Sequence, residues 1–289
     1  MNNKNMAFKV SFLSILLNIF LSAFKFVVGL ISHSKALISD SIHSLSDVLS
    51  TIIVIIGIKL ANKKPDKEHP YGHERLECVA AIILSIMLAL TGIGIGIAGI
   101  ESITKGTNAL IISSTLALSA AAISIVLKEA MYWYTKKAAK KINSGALLAD
   151  AWHHRSDALS SVGSFLGILF VKLGYPIFDS IASVVICIFI IKAALDIFKD
   201  AIDKMVDKAC SDDELKKIEK IILSNKDVIR IDDLKTRQFG NMYYIDVEIA
   251  VESHMSIKKA HEIAHTVHDD IEKKLKKVKH CMIHVNPNE

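Results

Sequence analysis

Residues 36–50 read ALISDSIHSLSDVLS, and residues 146–160 repeat the pattern as ALLADAWHHRSDALS. Each copy lies in a long apolar stretch and places a histidine four residues before an aspartate, at His43 and Asp47 and again at His153 and Asp157. Because residues four apart share one face of a helix, each copy presents an imidazole beside a carboxylate. Two such faces brought together supply four ligands of the types that hold divalent transition metals.

Apolar segments around the two copies predict a membrane-spanning domain. The chain is 51% hydrophobic with a mean hydropathy of +0.38, and windows of about 20 residues, the length that crosses a bilayer, occur six times. They run over 9–32, 36–61, 77–103, 110–134, 146–173 and 176–198. Lysines concentrate in the loops after the second and fourth spans, so the positive-inside rule predicts a multi-pass protein of the cell membrane with both termini in the cytoplasm.

The last third of the chain has a different composition and predicts a separate cytoplasmic domain. Amphipathic helices are expected from Ser211 and from Ser256. Residues 228–231 open a first strand, a turn follows at 237–241, and further strands are expected over 243–251 and 278–285. The order αββαβ indicates a small two-layer α+β domain. We therefore predict an all-α transmembrane domain over 1–204 and an α+β domain over 205–289. The net charge of +5 is too mild to suggest a nucleic-acid partner.

Residues near the paired motifs leave several roles open. Asp40 and Asp150 precede each histidine by three residues, where they could orient the imidazole or relay protons, or could be solvated residues near a helix end. His154 and Arg155 project about 100° and 200° around the helix from His153, so we expect neither at the metal. Arg155 must then face water, lipid headgroups or a carboxylate.

Two further clusters carry metal-ligand residues. The loop after the second span contains Asp66, His69 and His73, with prolines and Gly72 fixing turns, and it reads either as a metal site or as a polar loop. The tail contains six histidines, and 261–265 even match H-E-x-x-H, the motif of zinc proteases. A protease would need a third ligand, a substrate cleft and a larger domain, so regulatory metal binding is the favoured interpretation.

Together these motifs resemble the cation diffusion facilitator family of divalent-metal/proton antiporters. The resemblance covers the six spans, the paired motifs, the Asp66-x-x-His69-x-x-Gly72-His73 loop and the tail. It implies a ferredoxin- or metallochaperone-like tail and a homodimer that exports Zn²⁺-like ions in exchange for protons. It assigns a transport site to His43, Asp47, His153 and Asp157, and a loop site to Asp66, His69 and His73.

In the tail the resemblance is partial. His261 and His284 fall on family ligand positions, whereas Asp232, Glu248 and Asn286 stand where some relatives have His, His and Asp. Asparagine is a poorer zinc ligand than aspartate, which argues against a full two-metal site. The tail site is therefore expected to involve His261, His284, Glu248 and Asp232.

The ligand types predict what the protein transports. Two imidazoles with two carboxylates favour Zn²⁺, with Cd²⁺ and Co²⁺ close behind, while Fe²⁺ and Mn²⁺ prefer more oxygen. Histidine binds metal only when neutral, so protons are the expected counter-substrate. An intramembrane metalloenzyme would need an open coordination position and a general base, and a membrane-anchored sensor would not need ionisable groups in two spans. The sequence predicts a transporter and not an enzyme.

Overall fold

The computed structural model describes residues 3–31, 35–105, 115–172 and 177–288. Within these ranges, side chains are described except at positions 3–4, 35–40, 43, 46, 102, 105, 115–118, 121, 163–172, 177–180 and 182. The chain divides into two compact units, Met1–Ala201 and Ile202–Glu289. The predicted boundary after residue 204 falls three residues later, within the last long helix. The roles assigned to the two parts stay predictions.

In the part of the chain that the structure describes, the first unit is made of six long helices, the last of which continues past Ala201, and they confirm the predicted six-span architecture. They are α1 Asn3–Ile31, α2 Lys35–Ala61, α3 Arg75–Lys105, α4 Thr115–Ile142, α5 Gly145–Lys172 and α6 Ile177–Met205. At 1.5 Å per residue each is roughly 40 Å long, enough to cross a bilayer. Among the described residues, Asn5–Ile31 and Arg75–Glu101 are long and apolar enough to cross on composition alone. The other four helices carry more polar residues.

Many large apolar side chains of this unit are exposed on its outside, whereas several polar side chains are buried inside it. Phe12, Leu90 and Val126 are each more than 60% exposed, while Asn18 is completely buried and Lys25 is 3% exposed. Lys25 of α1 donates a hydrogen bond to Ser44 Oγ of α2 at 2.8 Å. This is the distribution expected for helices that face lipid outward and one another inward.

Small residues bring α3 close to two of its neighbours. A Cβ placed on Gly57 of α2 would lie 2.4 Å from the Cβ of Ala80 on α3. A Cβ on Gly96 of α3 would lie 2.6 Å from Cys187 Sγ on α6, whereas one on Gly94 would meet nothing within 4 Å. The glycine run in α3 therefore serves close packing on one face, as small residues do in membrane helices.

The second unit confirms the αββαβ prediction. Its elements are α7 Asp212–Ile222, β1 Arg230–Phe239, β2 Met242–Glu252, α8 Ile257–Lys274 and β3 Val278–Asn288. The sheet has the order β1-β2-β3, with β1 antiparallel and β3 parallel to β2. Odd-numbered residues of β2 from Tyr243 to Val251 join the buried residues of α7 and α8 in one core. Helices therefore cover one face of the sheet.

Two details of the tail differ from or refine the prediction. The turn is narrower than predicted, because Arg237 to Phe239 continue β1 and only Gly240 and Asn241 turn. Gly240 has a φ of 63°, a conformation that costs glycine least. Ser256 caps α8 as expected, since its side chain accepts a hydrogen bond from the Lys259 amide.

Candidate metal centres

The first candidate site lies where α2 and α5 pack together in the membrane unit. Asp47 comes from α2, while His153 and Asp157 lie one turn apart on α5. One ligand atom from each of these three side chains lies within 4.8 Å of the others, and all three side chains are buried. His153 Nε2 is 3.2 Å from Asp47 Oδ1. The predicted convergence of the two motifs therefore holds for these three residues, whereas the side chain of His43 lies outside the described residues.

A lysine that the sequence analysis overlooked completes this cluster. Lys128 of α4 donates hydrogen bonds to Asp47 Oδ2 at 2.6 Å and to Asp157 Oδ2 at 2.9 Å. Its side chain is only 3% exposed. The sequence did contain a sign of this role, because a lysine inside a predicted span is energetically costly and needs a partner. No repeat marks it, however, and the spacing of the paired motifs does not involve α4.

Asp150 and His154 form a second buried layer that is separate from this cluster. Asp150 is completely buried and accepts a hydrogen bond from Thr51 Oγ1 at 3.1 Å, which joins α5 to α2. His154 Nε2 lies 3.6 Å from Asp150 Oδ2. Asp150 is therefore not a solvated residue near a helix end, and that reading is wrong. The side chain of Asp40 lies outside the described residues.

Arg155 faces a carboxylate and an aromatic ring. Its Nη2 is 3.7 Å from Glu129 Oε1, and its guanidinium carbon is 4.3 Å from the centre of the Tyr132 ring. Glu129 also accepts a hydrogen bond from Trp133 Nε1 at 2.9 Å. Ion pairing and cation–π contact thus hold Arg155 against α4. The sequence left water, lipid headgroups or a carboxylate as the environment of Arg155, and the structure places it beside a carboxylate.

The loop between α2 and α3 brings the second predicted set together. Asp66 Oδ1 is 3.2 Å from His69 Nδ1, Asp66 Oδ2 is 3.5 Å from His73 Nε2, and the two imidazole centres are 4.5 Å apart. Hydrogen bonds from the Lys63 ammonium and then the His69 amide hold the pKa of Asp66 well below its usual range. Asp66 is therefore a carboxylate at neutral pH, in reach of two possible imidazole ligands.

The tail residues are only partly assembled. Asn286 Nδ2 donates hydrogen bonds to Asp232 Oδ2 at 3.0 Å and to Glu248 Oε2 at 3.2 Å, which links the three strands. The hydrogen bonds that Asp232 accepts from Asn286 and Arg230 lower its pKa. His284 is the register partner of Glu248, and His261 lines a cavity of about 320 Å³ together with Asn286. In the tail as described, these residues do not form a cluster of three ligands within 4.8 Å of one another.

Two family descriptions match this chain, and together they cover nearly all of it. "Cation efflux transmembrane domain" matches residues 11–206. The chain belongs to the cation efflux family. "Cation efflux protein, cytoplasmic domain" matches residues 210–288. These matches confirm the predicted resemblance to cation diffusion facilitators, the multi-pass membrane architecture and the prediction of a transporter rather than an enzyme.

Relatives of this cation efflux protein extend over its whole length. An uncharacterized transporter of Methanocaldococcus jannaschii is 39% identical over 95% of this chain and 96% of its own. The manganese efflux system protein MneP of Bacillus subtilis is 32% identical over 96% of this chain and 95% of its own. The manganese efflux system protein MneS of the same organism is also 32% identical, over 93% and 91% of the two chains. Efflux of divalent metal cations is thus the activity of the family.

The membrane cluster has the chemistry that divalent cation transport requires. Two carboxylates and an imidazole offer oxygen and nitrogen ligands to a divalent transition metal. The apolar surroundings make any charge mismatch there expensive, so ions of the wrong charge are disfavoured. Its three candidate ligands come from two different spans, α2 and α5, and its lysine comes from a third, α4.

Proposed function

We propose that this cation efflux protein exports divalent transition-metal ions from the cytoplasm in exchange for protons, through a site made by His43, Asp47, His153 and Asp157. The observation that carries the proposal is the convergence of Asp47, His153 and Asp157 from α2 and α5 inside the membrane unit. Ionisable groups are rare at this depth and usually belong to a substrate or proton pathway.

Proton exchange follows from the ligand types. Imidazole binds metal only when neutral and carboxylate binds best when ionised, so metal and protons compete for the same atoms. A site open to the cytoplasm would load metal and release protons, and the same site open to the outside would take up protons and release metal. The lysine-rich loops support placing those loops on the cytosolic side, and the match of the C-terminal part to a cytoplasmic domain supports the same orientation.

The proposed cargo is Zn²⁺, because two imidazoles in the complete set of four favour it. Cd²⁺ and Co²⁺ are further candidates by the same chemistry, and Fe²⁺ is a weaker one because it prefers more oxygen ligands. Mn²⁺ is the second candidate, supported by the two relatives that are named manganese efflux system proteins. The described part of the site, two carboxylates to one imidazole, is also rich enough in oxygen to suit Mn²⁺.

The working unit is proposed to be a homodimer in the cell membrane that works by alternating access. α2 and α5 would move together against the other helices and carry the bound ion between the two sides. Metal on Asp66, His69 and His73, and on the tail residues Asp232, Glu248, His261 and His284, would favour the closed dimer and so regulate transport. The hydrogen bonds from Asn286 to both Asp232 and Glu248 bring the two carboxylates near each other, which supports a shared site.

The test is metal flux into proteoliposomes with an imposed pH gradient. We expect the wild-type protein to move Zn²⁺ against its gradient when protons flow the other way, and Asp47→Asn and His153→Ala to reduce the flux to background. Asp227→Asn, an exposed aspartate in the tail, is the matched control and should transport normally. Wild-type flux in either site variant would refute the assignment.

Competition between metals in the same assay identifies the cargo. If Zn²⁺ is the substrate, an excess of Mn²⁺ should inhibit Zn²⁺ flux only weakly, and the double change His43→Asp and His153→Asp should shift the preference towards Mn²⁺. Stronger transport of Mn²⁺ than Zn²⁺ by the wild-type protein would establish the second candidate instead.

A further inference from the structure

Lys128 occupies the position in the membrane cluster that a cation bridging the two aspartates would take. Its ammonium bonds Asp47 Oδ2 and Asp157 Oδ2 at 2.6 and 2.9 Å, and these two oxygens belong to the carboxylates proposed as metal ligands. The chain brings Lys128 there from a third helix, α4. Its position therefore depends on the packing of α4 against α5 and on the reach of its long side chain to Asp47 of α2.

Charge counting limits what the cluster can hold at one time. Two aspartates with the Lys128 ammonium carry a net charge of −1, and two aspartates with a divalent ion carry none. Two aspartates with both cations would carry +1 in a buried, low-dielectric place, and the two cations would repel each other at short range. A divalent ion that bridges the same two carboxylate oxygens would therefore take the place of the ammonium and be repelled by it.

We propose that Lys128 is a tethered counter-cation of the transport site, which pairs with Asp47 and Asp157 when the site is empty and is displaced when a divalent metal binds. The inference rests on the proposed function and adds a residue that controls affinity and turnover. Lysine suits this role because its ammonium is a compact charge on a flexible stem, which can swing away while remaining attached to α4.

Displacement has two consequences for a transporter. Metal must compete with an ammonium that is always nearby, so affinity is lower than the carboxylates alone would give, and release is faster. The ammonium also balances half of the carboxylate charge of the empty site, so the unloaded protein can return through the membrane without two bare carboxylates in its core. Lys128 would thus matter most for the step in which the carrier returns empty.

The test uses Lys128→Met, which keeps the length and apolar stem but removes the charge. Zn²⁺ and Mn²⁺ binding is measured by competition with a fluorescent chelator, and the part lost in Asp47→Asn defines binding at the transport site. We expect Lys128→Met to bind the transported metal at least tenfold more tightly, about 1.4 kcal/mol. Net efflux should fall at least tenfold, while exchange of metal for metal across the membrane persists, because exchange never requires the empty carrier to return.

Two further variants make the test decisive. Lys140→Met removes an exposed lysine from the same helix and should change neither binding nor flux. Lys128→Arg keeps the pairing and hence the fold, but its planar fork holds carboxylates in two bonds at once, so metal binding should weaken at least tenfold.

Unchanged or weaker metal binding in folded Lys128→Met would overturn the inference. Should that variant not fold, wild-type metal affinity in Lys128→Arg would overturn it equally. Either result is distinguishable from failure of the proposed function, which would appear as normal metal binding and flux in Asp47→Asn.

Discussion

Replacing Gly57 with alanine should push α2 away from α3. The new Cβ would lie 2.4 Å from the Cβ of Ala80, and the next nearest atoms on α3 are at 3.8 and 3.9 Å. Carbon atoms in contact prefer separations of about 3.5–4.0 Å, so the two helices must part by roughly 1 Å or bend locally. Asp47 lies on the same helix as Gly57, so the change also disturbs the membrane metal cluster.

Two opposing energies decide the size of the effect. Overpacking of this kind costs about 1–3 kcal/mol, and the better helix propensity of alanine returns about 0.5–1 kcal/mol. We expect Gly57→Ala to lower the free energy of unfolding by up to about 2.5 kcal/mol. In the double variant Gly57→Ala with Ala80→Gly, the methyl group merely changes helix and the clash is absent. The coupling energy of the double-mutant cycle should therefore be at least the overpacking term, about 1–3 kcal/mol, because the double variant also refills the space that Ala80→Gly alone leaves empty.

The measurement is equilibrium unfolding of the purified protein in detergent titrated with a denaturing detergent, with metal flux in liposomes as a second readout. Gly94→Ala is the matched control, because a Cβ there meets nothing within 4 Å and should leave stability equal or slightly higher. Flux should fall in Gly57→Ala and recover in the double variant. Additive effects of the two changes, within about 0.5 kcal/mol, would show that α2 and α3 are not packed in this way.

Three further predictions concern other parts of the molecule. Thr51→Val should destabilise the membrane unit by about 1–3 kcal/mol, because Asp150 loses a buried hydrogen bond. Thr51→Ser should keep that bond, so unfolding in detergent should show the serine variant to be the more stable. Equal stability of the two variants would contradict the contact. Ile249→Ala, at a completely buried position of the sheet, should cost about 2–5 kcal/mol by denaturant titration of the tail transition, whereas Ile257→Ala, which is 89% exposed, should change it by less than about 0.5 kcal/mol. Asp66→Ala removes the carboxylate that both loop imidazoles approach. Equilibrium dialysis should then find fewer Zn²⁺ ions bound per chain, while binding at the membrane cluster stays intact. An unchanged number of Zn²⁺ ions per chain would rule out the loop site.

The paired motifs made the membrane cluster predictable because their information is local. Four-residue spacing fixes which side chains share a helix face, and two copies of one pattern in separate spans imply that the faces meet. Asp47, His153 and Asp157 follow this rule. His154 obeys the same spacing rule. Being one residue after His153 it lies on a different face of α5, where its neighbour is Asp150, four residues earlier.

Lys128 was not predictable in the same way. Its role depends on which face of α4 meets α2 and α5, and no spacing within α4 contains that information. The apolar residues around it indicate only that it lies within a span. Because a buried lysine needs a partner, the sequence alone predicts that Lys128 pairs with a carboxylate. Which carboxylate it pairs with is decided by the packing of three helices.

The tail illustrates a similar limit for strands. The strand over 243–251 was predictable, and its odd-numbered residues share the buried face because side chains of a strand point alternately to its two sides. The register between strands is shifted between Ile231 and Asp233, however, so Asp232 has no simple partner on β2. A shift of this kind changes which ligands can meet, and it is set by the pairing of distant strands rather than by the pattern within one.

The uneven distribution of apolar residues among the helices also bears on how the chain reaches the membrane during synthesis. Within the described residues, α1 and α3 can be recognised by the insertion machinery on their own composition, whereas α2 carries Asp47 and α4 carries Lys128 and Glu129. A charged residue at the centre of a helix opposes its transfer from the translocon to lipid by roughly 2.5–3.5 kcal/mol. We therefore expect α2 to enter the lipid only after α1 and α3 are available to pack against it. The ionic partners should meet before the helix bundle is released into the bilayer. Polar groups that serve the mature protein would then also set the order of its biogenesis.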